Sequence, residues 1–173
     1  RFDEDQTTGR DTDHIYTAVA VKRSGSAVFI AGQTYAELSV AHEANGQPRP
    51  TRRGTEVLVE LPNGSPLQLM SVHLKSGCHS GTLEPPRTDA CRTLAAQRAP
   101  LETWIDDLTE EGTPFVIAGD WNRRIDRHGA RDHLWQEIDD GEPFPLDLIR
   151  FPEGIRSPCL ENTSAHRPEP IDF

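Results

Sequence analysis

The chain has 173 residues, of which 35% are hydrophobic, and its formal net charge at pH 7 is −10. We expect residues 1–173 to form one domain with a core of its own, and no apolar run approaches the roughly 20 residues of a membrane helix. The acidic balance argues against tight, sequence-independent binding to nucleic acid, because basic side chains on phosphates supply most of that affinity.

The two ends of the sequence suggest a longer parent protein. The chain begins at Arg1 rather than at methionine, and it shows no secretory leader of charged, apolar and small-residue segments. Its last residues, EPIDF (169–173), have the pattern of the first residues of a strand. We therefore expect the chain to be the middle part of a longer protein.

Three short segments near the start predict strands, because β-branched and small apolar residues are frequent in them. They are HIYTAVAVK (14–22), SAVFIAG (26–32) and YAELSV (35–40). The polar, proline-containing segment that follows, AHEANGQPRPTRR (41–53), is typical of a connecting loop.

A β-hairpin is predicted next. TEVLVEL (55–61) and PLQLMSVHL (66–74) are two strand-like segments, and Asn63-Gly64 lies in the short turn between them. A glycine after asparagine supplies the positive φ that a tight hairpin requires. The second strand should be central in its sheet, because it is reached through this hairpin.

The hydrophobic period then changes to that of a helix. Residues 88–111 predict one helix kinked at Pro100 or two shorter helices, because proline removes a backbone donor. TPFVIAG (113–119) predicts a strand buried on both faces, and RDHLWQEIDD (131–140) predicts a short amphipathic helix. Together these elements predict a mixed α/β fold with largely antiparallel sheets flanked by helices.

The first candidate functional residues follow the strand at 113–119. Asp120 and Asn122 are two positions apart, so in an extended backbone their side chains would point to the same side. A carboxylate and an amide placed in this way can hold a nucleophilic water and an oxyanion. The alternative is an Asx-type turn, in which both side chains bond to their own backbone.

His73 and Lys75 form a similar pair at the end of the predicted central strand. A cation near neutral pH would stabilise the charge that develops on a phosphoryl group. The alternative for His73 is a hydrogen-bonded structural histidine. Arg123, in RRIDRHGARD (123–132), could likewise orient a phosphate through charge-assisted bonds, or it could belong to a solvated loop and helix start.

Two of the three cysteines could form a disulfide. Cys78 and Cys91 lie 13 positions apart around a loop rich in Gly, Ser and Pro, and the third is Cys159. Closing such a loop would stabilise the fold by about 3 kcal/mol in the chain-entropy treatment, whereas two unrelated buried thiols would not. If the bridge exists, we expect an oxidising compartment, outside the cell or in the periplasm.

Three motifs together resemble the endonuclease/exonuclease/phosphatase superfamily, whose type member is deoxyribonuclease I. LMSVHLKSGC (69–78), PFVIAGDWNRR (114–124) and the terminal IDF (171–173) occur in the order and rough spacing of that family. The likeness spans roughly residues 15–173. It implies a four-layer β-sandwich of two mainly antiparallel sheets flanked by helices, incomplete here at both ends.

The resemblance also implies roles for individual residues. Asp120 would orient or deprotonate the attacking water, and Asn122 would contact the scissile phosphate. His73 would donate to the phosphoryl oxygens, with Arg53 near the phosphate. Asp172 would orient a second catalytic histidine.

The chain departs from the family pattern at both ends. The family's Asn and Gln-Glu motifs near the N-terminus, which include its metal-binding glutamate, and its Ser-Asp-His motif near the C-terminus have no counterpart in this sequence. We therefore expect the main metal ligand to lie outside this chain, with Asp120 as a second ligand, and we expect the isolated chain to lack full activity.

The implied function is that of a divalent-metal-dependent phosphoesterase of the nuclease or phosphatase type, with Mg²⁺, Mn²⁺ or Ca²⁺ as its cofactor. Its substrate would be a nucleic acid, a phospholipid headgroup or a small phosphodiester. The alternative is a non-catalytic binding module built on a degenerate or truncated copy of the same fold.

Overall fold

The structure is a computed structural model that describes residues 17–44 and 47–151. Asp172 and Cys159 lie outside the described residues. The described part is a mixed α/β fold with a mainly antiparallel sheet and helices, as the sequence predicted. In chain order the elements are β1 (Val28–Tyr35), β2 (Ala41–Ala44), β3 (Gln47–Pro50), β4 (Gly54–Glu60), β5 (Pro66–His73), α1 (Asp89–Ala96), α2 (Arg98–Glu111), β6 (Phe115–Asp120), α3 (Ile125–His128) and α4 (His133–Ile138).

The described residues form one four-stranded sheet and one separate hairpin. The strand order in the sheet is β1-β4-β5-β6, and the hairpin consists of β2 and β3. Strands β1, β4 and β5 are antiparallel neighbours, whereas β5 and β6 run parallel. The parallel pair requires a crossover, which α1 and α2 supply.

The predicted hairpin is confirmed as β4 and β5. Gly64 has φ +81°, the positive value expected from its place in the turn, and Asn63 Oδ1 accepts a hydrogen bond from Ser65 N at 3.1 Å. The register pairs Glu60 with Pro66 at the closed end. As expected, β5 has a neighbouring strand on each side, so its C-terminal end is fixed by both.

Two helices rather than one kinked helix cover residues 89–111. Helix α1 is capped by Thr88, whose side chain accepts from Cys91 N at 3.1 Å. The break falls at Gln97, so Pro100 lies in the first turn of α2, where the missing donor costs no intrahelical bond. Helix α2 then ends at Gly112, which is left-handed with φ +67°.

Three sequence predictions in the first third of the chain were wrong. The described part of 14–22 is irregular apart from one bridge residue at position 18. Apart from Tyr35, the last residue of β1, residues 35–40 do not form a strand, because the chain turns through a short 3-10 helix, Ala36–Leu38, that buries Leu38. Residues 41–53 contain the β2–β3 hairpin rather than a loop.

Strand β6 was predicted to be buried on both faces, and this was wrong. In the described part of the chain it is the last strand of the sheet, and its residues alternate between half-buried and exposed. Val116 is exposed although it is a large apolar residue. The apolar run gave the strand's position correctly, but it did not distinguish an edge strand from a central one.

A single apolar cluster connects the sheet to the helices. It joins Met70 and Val72 of β5 to Leu94 of α1, Ile105 of α2 and Leu134 of α4. Trp104 and Trp121 are also buried in this cluster, as packing residues. None of the helices within 17–44 and 47–151 is both long and apolar enough to cross a bilayer.

An acidic pair lies on α2. The Oε2 atom of Glu102 and the Oδ1 atom of Asp106 are shielded from solvent and contact no hydrogen-bond partner among the described residues. Burial, and after it the negative charge of Asp106, raises the pKa of Glu102 to about 8. Asp140 and Glu137 act in the same direction. Folded Glu102 therefore keeps a proton at a pH where the unfolded side chain has lost it.

Replacing Glu102 with glutamine should remove a pH-dependent loss of stability. Because the folded pKa lies above the ordinary value of 4.5, stability falls as the pH rises from about 4.5 to about 8. Glu102→Gln should therefore stabilise the protein more at pH 8 than at pH 5, as measured by the Tm. The control is Glu111→Gln, an exposed site on the same helix. An equal gain in Tm at both pH values would contradict the raised pKa of Glu102.

Candidate active site

The parallel pairing of β5 and β6 brings two predicted catalytic residues together. His73 and Asp120 are the last residues of the two strands and are register partners. The Nε2 atom of His73 lies 3.6 Å from Oδ2 of Asp120, which is ion-pair distance when the imidazole is protonated. The side chains are 21% and 34% exposed, so both can reach a ligand in solvent.

Gly119 makes this close approach possible. Its φ is +138°, a value that side chains disfavour, and a Cβ added to it would lie 2.2 Å from the carbonyl oxygen of Val72. Leu74 N donates to Asp120 O at 2.9 Å just beyond this point. A side chain at position 119 would thus force the ends of the two strands apart.

Alanine at position 119 should be far more costly than at another left-handed glycine. Gly112 also has a positive φ, but a Cβ there would meet nothing within 4 Å. We expect Gly112→Ala to cost about 1 kcal/mol, from backbone strain alone, and Gly119→Ala to cost about 3 kcal/mol or more. Urea denaturation of both variants measures the difference. Similar costs for the two would show that the contact with Val72 is readily relieved.

The predicted Asx-type alternative is present after β6. Asn122 N donates to Asp120 Oδ1 at 2.8 Å, and Asn122 itself has φ +51°. The expectation that both side chains point to the same side was wrong, because the chain turns instead of staying extended. The turn uses one oxygen of Asp120 and leaves the other directed at His73.

Asn122 fixes this turn to the neighbouring strand. Its Nδ2 donates to the carbonyl of Leu74 at 3.0 Å, and the residue is only 5% exposed. A buried amide in this position holds the two strand ends together, so Asn122 is a positioning residue in the described geometry. Its contact with a substrate phosphate stays a prediction.

The arginine beside Asp120 is Arg52. Burial lowers the pKa of Arg52, and the negative charge of Asp120 opposes that effect. The sequence had favoured the next residue, Arg53, whose carbonyl accepts from Thr17 Oγ1 at 2.9 Å. The interaction with Asp120 makes Arg52 a candidate cation of the site. The role of Arg53 near the phosphate stays a prediction.

The predicted phosphate contact of Arg123 conflicts with the structure, because the side chain is buried and bonded within the protein. Its guanidinium is buried and makes a two-pronged ion pair with Asp132, with Nε and Nη2 each 2.9 Å from Oδ2. Its Nη1 donates to the carbonyls of Cys78 and Gly81 at 2.9 and 2.7 Å. Asp132 also caps α4 by accepting from Leu134 N at 3.0 Å. Arg123 therefore holds the fold together instead of facing a ligand.

Removing the buried arginine should destabilise the protein strongly. Arg123→Met would leave the Asp132 carboxylate buried without its partner, which costs about 3–5 kcal/mol. The matched control is Arg127→Met, because Arg127 is exposed on α3. The midpoint of urea unfolding measures both. Equal midpoints for the two variants would mean that the Arg123–Asp132 pair adds no stability.

The Cys78–Cys91 disulfide, which the sequence alone did not decide, is present. Cys78 and Cys91 are bonded, with their Cα atoms 4.9 Å apart, so the loop after β5 is tied to α1. The same loop contacts the turn after β6. His79 Nδ1 lies 3.0 Å from the carbonyl oxygen of Asn122, and Arg124 N donates to the carbonyl of His79 at 2.8 Å. The bridge thus constrains one wall of the candidate site.

Gln97 is a site-supporting residue that the sequence reasoning missed. It is wholly buried, its Oε1 accepts from Lys75 N at 2.9 Å, and its Nε2 donates to Leu38 O at 2.9 Å and to Thr51 Oγ1 at 3.1 Å. Lys75 is thereby held beside the end of β5. The signal in the sequence was a polar residue between two helical periods, which does not by itself predict burial.

The described residues do not fit a divalent cation on their own. Within 17–44 and 47–151 there is no group of three His, Cys, Asp or Glu side chains that could hold a metal ion. The two oxygens of the Asp120 carboxylate already face Asn122 N and His73. We therefore assign no reaction step to a metal ion.

A scan against protein-family models finds no match, and searches of curated proteins and of solved structures find none either.

Proposed function

We propose that the chain forms part of a phosphoester hydrolase in which His73 and Asp120 are the catalytic pair. The observation that carries the proposal is the 3.6 Å separation of their side chains at the ends of two parallel strands, with Arg52 acting electrostatically on the same carboxylate. Imidazole, carboxylate and guanidinium in one half-exposed site suit the hydrolysis of an anionic ester.

In the proposed reaction Asp120 holds the attacking water. The oxygen that faces His73, Oδ2, accepts a proton as the water oxygen bonds to phosphorus, while Asn122 N keeps the other oxygen in place. His73, when protonated, donates to a phosphoryl oxygen, and Arg52 offsets the charge of the phosphate. The ester bond on the opposite side of phosphorus breaks, and the leaving oxygen takes a proton from solvent.

The finer fold and the cofactor belong to the same proposal. The resemblance implies a four-layer sandwich, and exposed apolar residues on β1 offer a surface for another layer: Val28, Phe29 and Ile30. It also implies a requirement for Mg²⁺, Mn²⁺ or Ca²⁺, which the described residues do not meet alone. Asp172, as the partner of a histidine beyond this chain, remains part of this proposal.

The disulfide supports an oxidising compartment. Disulfides persist mainly in extracellular and periplasmic proteins, because reducing agents in the cytosol keep thiols reduced. The bond between Cys78 and Cys91 therefore favours an exported hydrolase.

A second candidate is a non-catalytic binding module. Two observations favour it. The Asn122 amide donates to the carbonyl of Leu74, and the described residues contain no group of three His, Cys, Asp or Glu side chains that could hold a metal ion. Such a module would bind a phosphorylated partner through His73 and Arg52 without hydrolysing it. Turnover, rather than binding, distinguishes the two candidates.

Removal of either member of the pair should abolish most turnover without unfolding the protein. We expect His73→Ala and Asp120→Asn to lower kcat for bis(p-nitrophenyl) phosphate by about 10²–10⁴-fold, because each removes a group that acts in the transition state. The assay contains Mg²⁺ and is repeated with a chelator, and the Tm of each variant should stay close to that of the parent chain.

Matched controls are available on the helices. Asp107→Asn is an exposed carboxylate change on α2, and His128→Ala changes a histidine on α3. Both should keep the parent rate. Turnover that survives both catalytic-pair variants would rule out the proposed mechanism, and turnover that survives the chelator would rule out the metal requirement. Phosphate binding without turnover in the parent chain would favour the binding module.

A further inference from the structure

The β2–β3 hairpin is fixed next to the candidate site by buried hydrogen bonds. Thr51, directly after β3, exchanges two bonds of 2.9 Å with the backbone of Val40, directly before β2. Gln97 links Thr51 Oγ1 to the backbone of Lys75, which lies two residues beyond His73. The hairpin and the end of β5 therefore keep a constant relative position.

Basic side chains converge in this region. His42 and Arg49 are directly opposite each other in the hairpin, so their side chains share one face. Burial lowers the pKa of the His42 imidazole, and the largest charge effect in the same direction comes from Lys75. The positive charges of Arg49 and Arg52 also lower this pKa, whereas a hydrogen bond with the backbone of Arg49 raises it. Arg49 of the hairpin, Lys75 just after β5 and Arg52 before β4 thus all act on His42.

This convergence contrasts with the charge of the whole chain. The net charge is −10, yet three permanent cations lie close enough to affect one histidine. The acid of the hairpin, Glu43, follows His42 directly in β2, so it points to the opposite face. Gathering like charges is unfavourable unless an anion offsets them, and a planar guanidinium with an ammonium is a common phosphate-binding pair.

We infer that Arg49, Lys75 and His42 form a second anion subsite beside the His73–Asp120 pair, and that this subsite binds a further phosphate group of the substrate. The inference rests on the proposed function, and it names the substrate class: a molecule with two phosphate groups close together. Arg52 interacts electrostatically with one residue of each site: with Asp120 of the catalytic pair and with His42 of the second subsite. A zwitterionic phosphocholine headgroup, which has one phosphate and its own cation, fits this arrangement poorly.

The test compares two dinucleotides that differ by one phosphate. Thymidylyl-thymidine has a single phosphodiester, and its 5′-phosphorylated form has a second phosphate. Binding is measured by calorimetry at low salt in an Asp120→Asn background, which prevents turnover. We expect the phosphorylated form to bind roughly tenfold more tightly, since it gains a charge-assisted contact. Equal affinities would overturn the subsite.

The key variant is the double change Arg49→Gln and Lys75→Gln. It should bring the affinity ratio of the two dinucleotides close to one, while the Tm shows that the fold is kept. Arg49→Gln alone, at an exposed position, should reduce the ratio in part and provides a second test. The charge-matched control is Lys22→Gln with Arg23→Gln, both exposed, and it should keep the full ratio. An unchanged ratio in the double variant would overturn the inference.

Two competition measurements distinguish the kinds of molecule that could supply the second phosphate. An inositol bisphosphate and the phosphorylated dinucleotide are each used as competitors, and the one that competes at lower concentration identifies the substrate source. Phosphocholine should not compete at comparable concentration, and competition by it would contradict the subsite. Failure of the proposed function appears separately, as no hydrolysis by the chain with Asp120 intact, because the affinity ratio does not depend on turnover.

Discussion

The contact between Gly119 and the carbonyl of Val72 is the constraint on which the site depends. Because position 119 has no side chain, β6 can approach β5 closely enough for their last residues to become register partners. The 3.6 Å separation of His73 and Asp120 follows from that pairing. The chemistry of the site is thus a consequence of parallel strand geometry, and no loop has to fold over to assemble it.

Buried polar side chains hold the surrounding segments in place. Asn122 joins the two strand ends, Gln97 joins β5 to the hairpin, and Arg123 joins the disulfide loop to the start of α4. Each places polar groups in the interior, where an unmade hydrogen bond is expensive. These bonds favour one arrangement of the loops around the candidate site over others.

Sequence reasoning located the elements that carry strong local signals. The Asn63-Gly64 turn gave the β4–β5 hairpin, and the apolar run ending at Gly119 gave β6. The hairpin of β2 and β3 was missed, because Pro48 and Pro50 are typical of loops. Proline is tolerated here since β3 has a single partner strand.

For the site, too, the local sequence pattern predicted some residues correctly and others not. His73 and Asp120 were singled out as polar residues at the ends of strand-like segments, and the resemblance of their motifs to a known family implied that they act together. Arg123 was misassigned, since the sequence shows that a residue is charged but not that Asp132 will bury it. The partner of a charged side chain is set by tertiary contacts, which a local pattern does not contain.

The disulfide makes the history of a sample relevant to its activity. The loop between Cys78 and Cys91 is held both by a covalent bond and by the Arg123 guanidinium, and it contacts the turn that carries Asn122. If the thiols were reduced, the guanidinium would have to order that wall of the site alone. Preparations from a reducing cytosol and from an oxidising secretory route could then share one sequence and differ in how well their reactive groups are aligned.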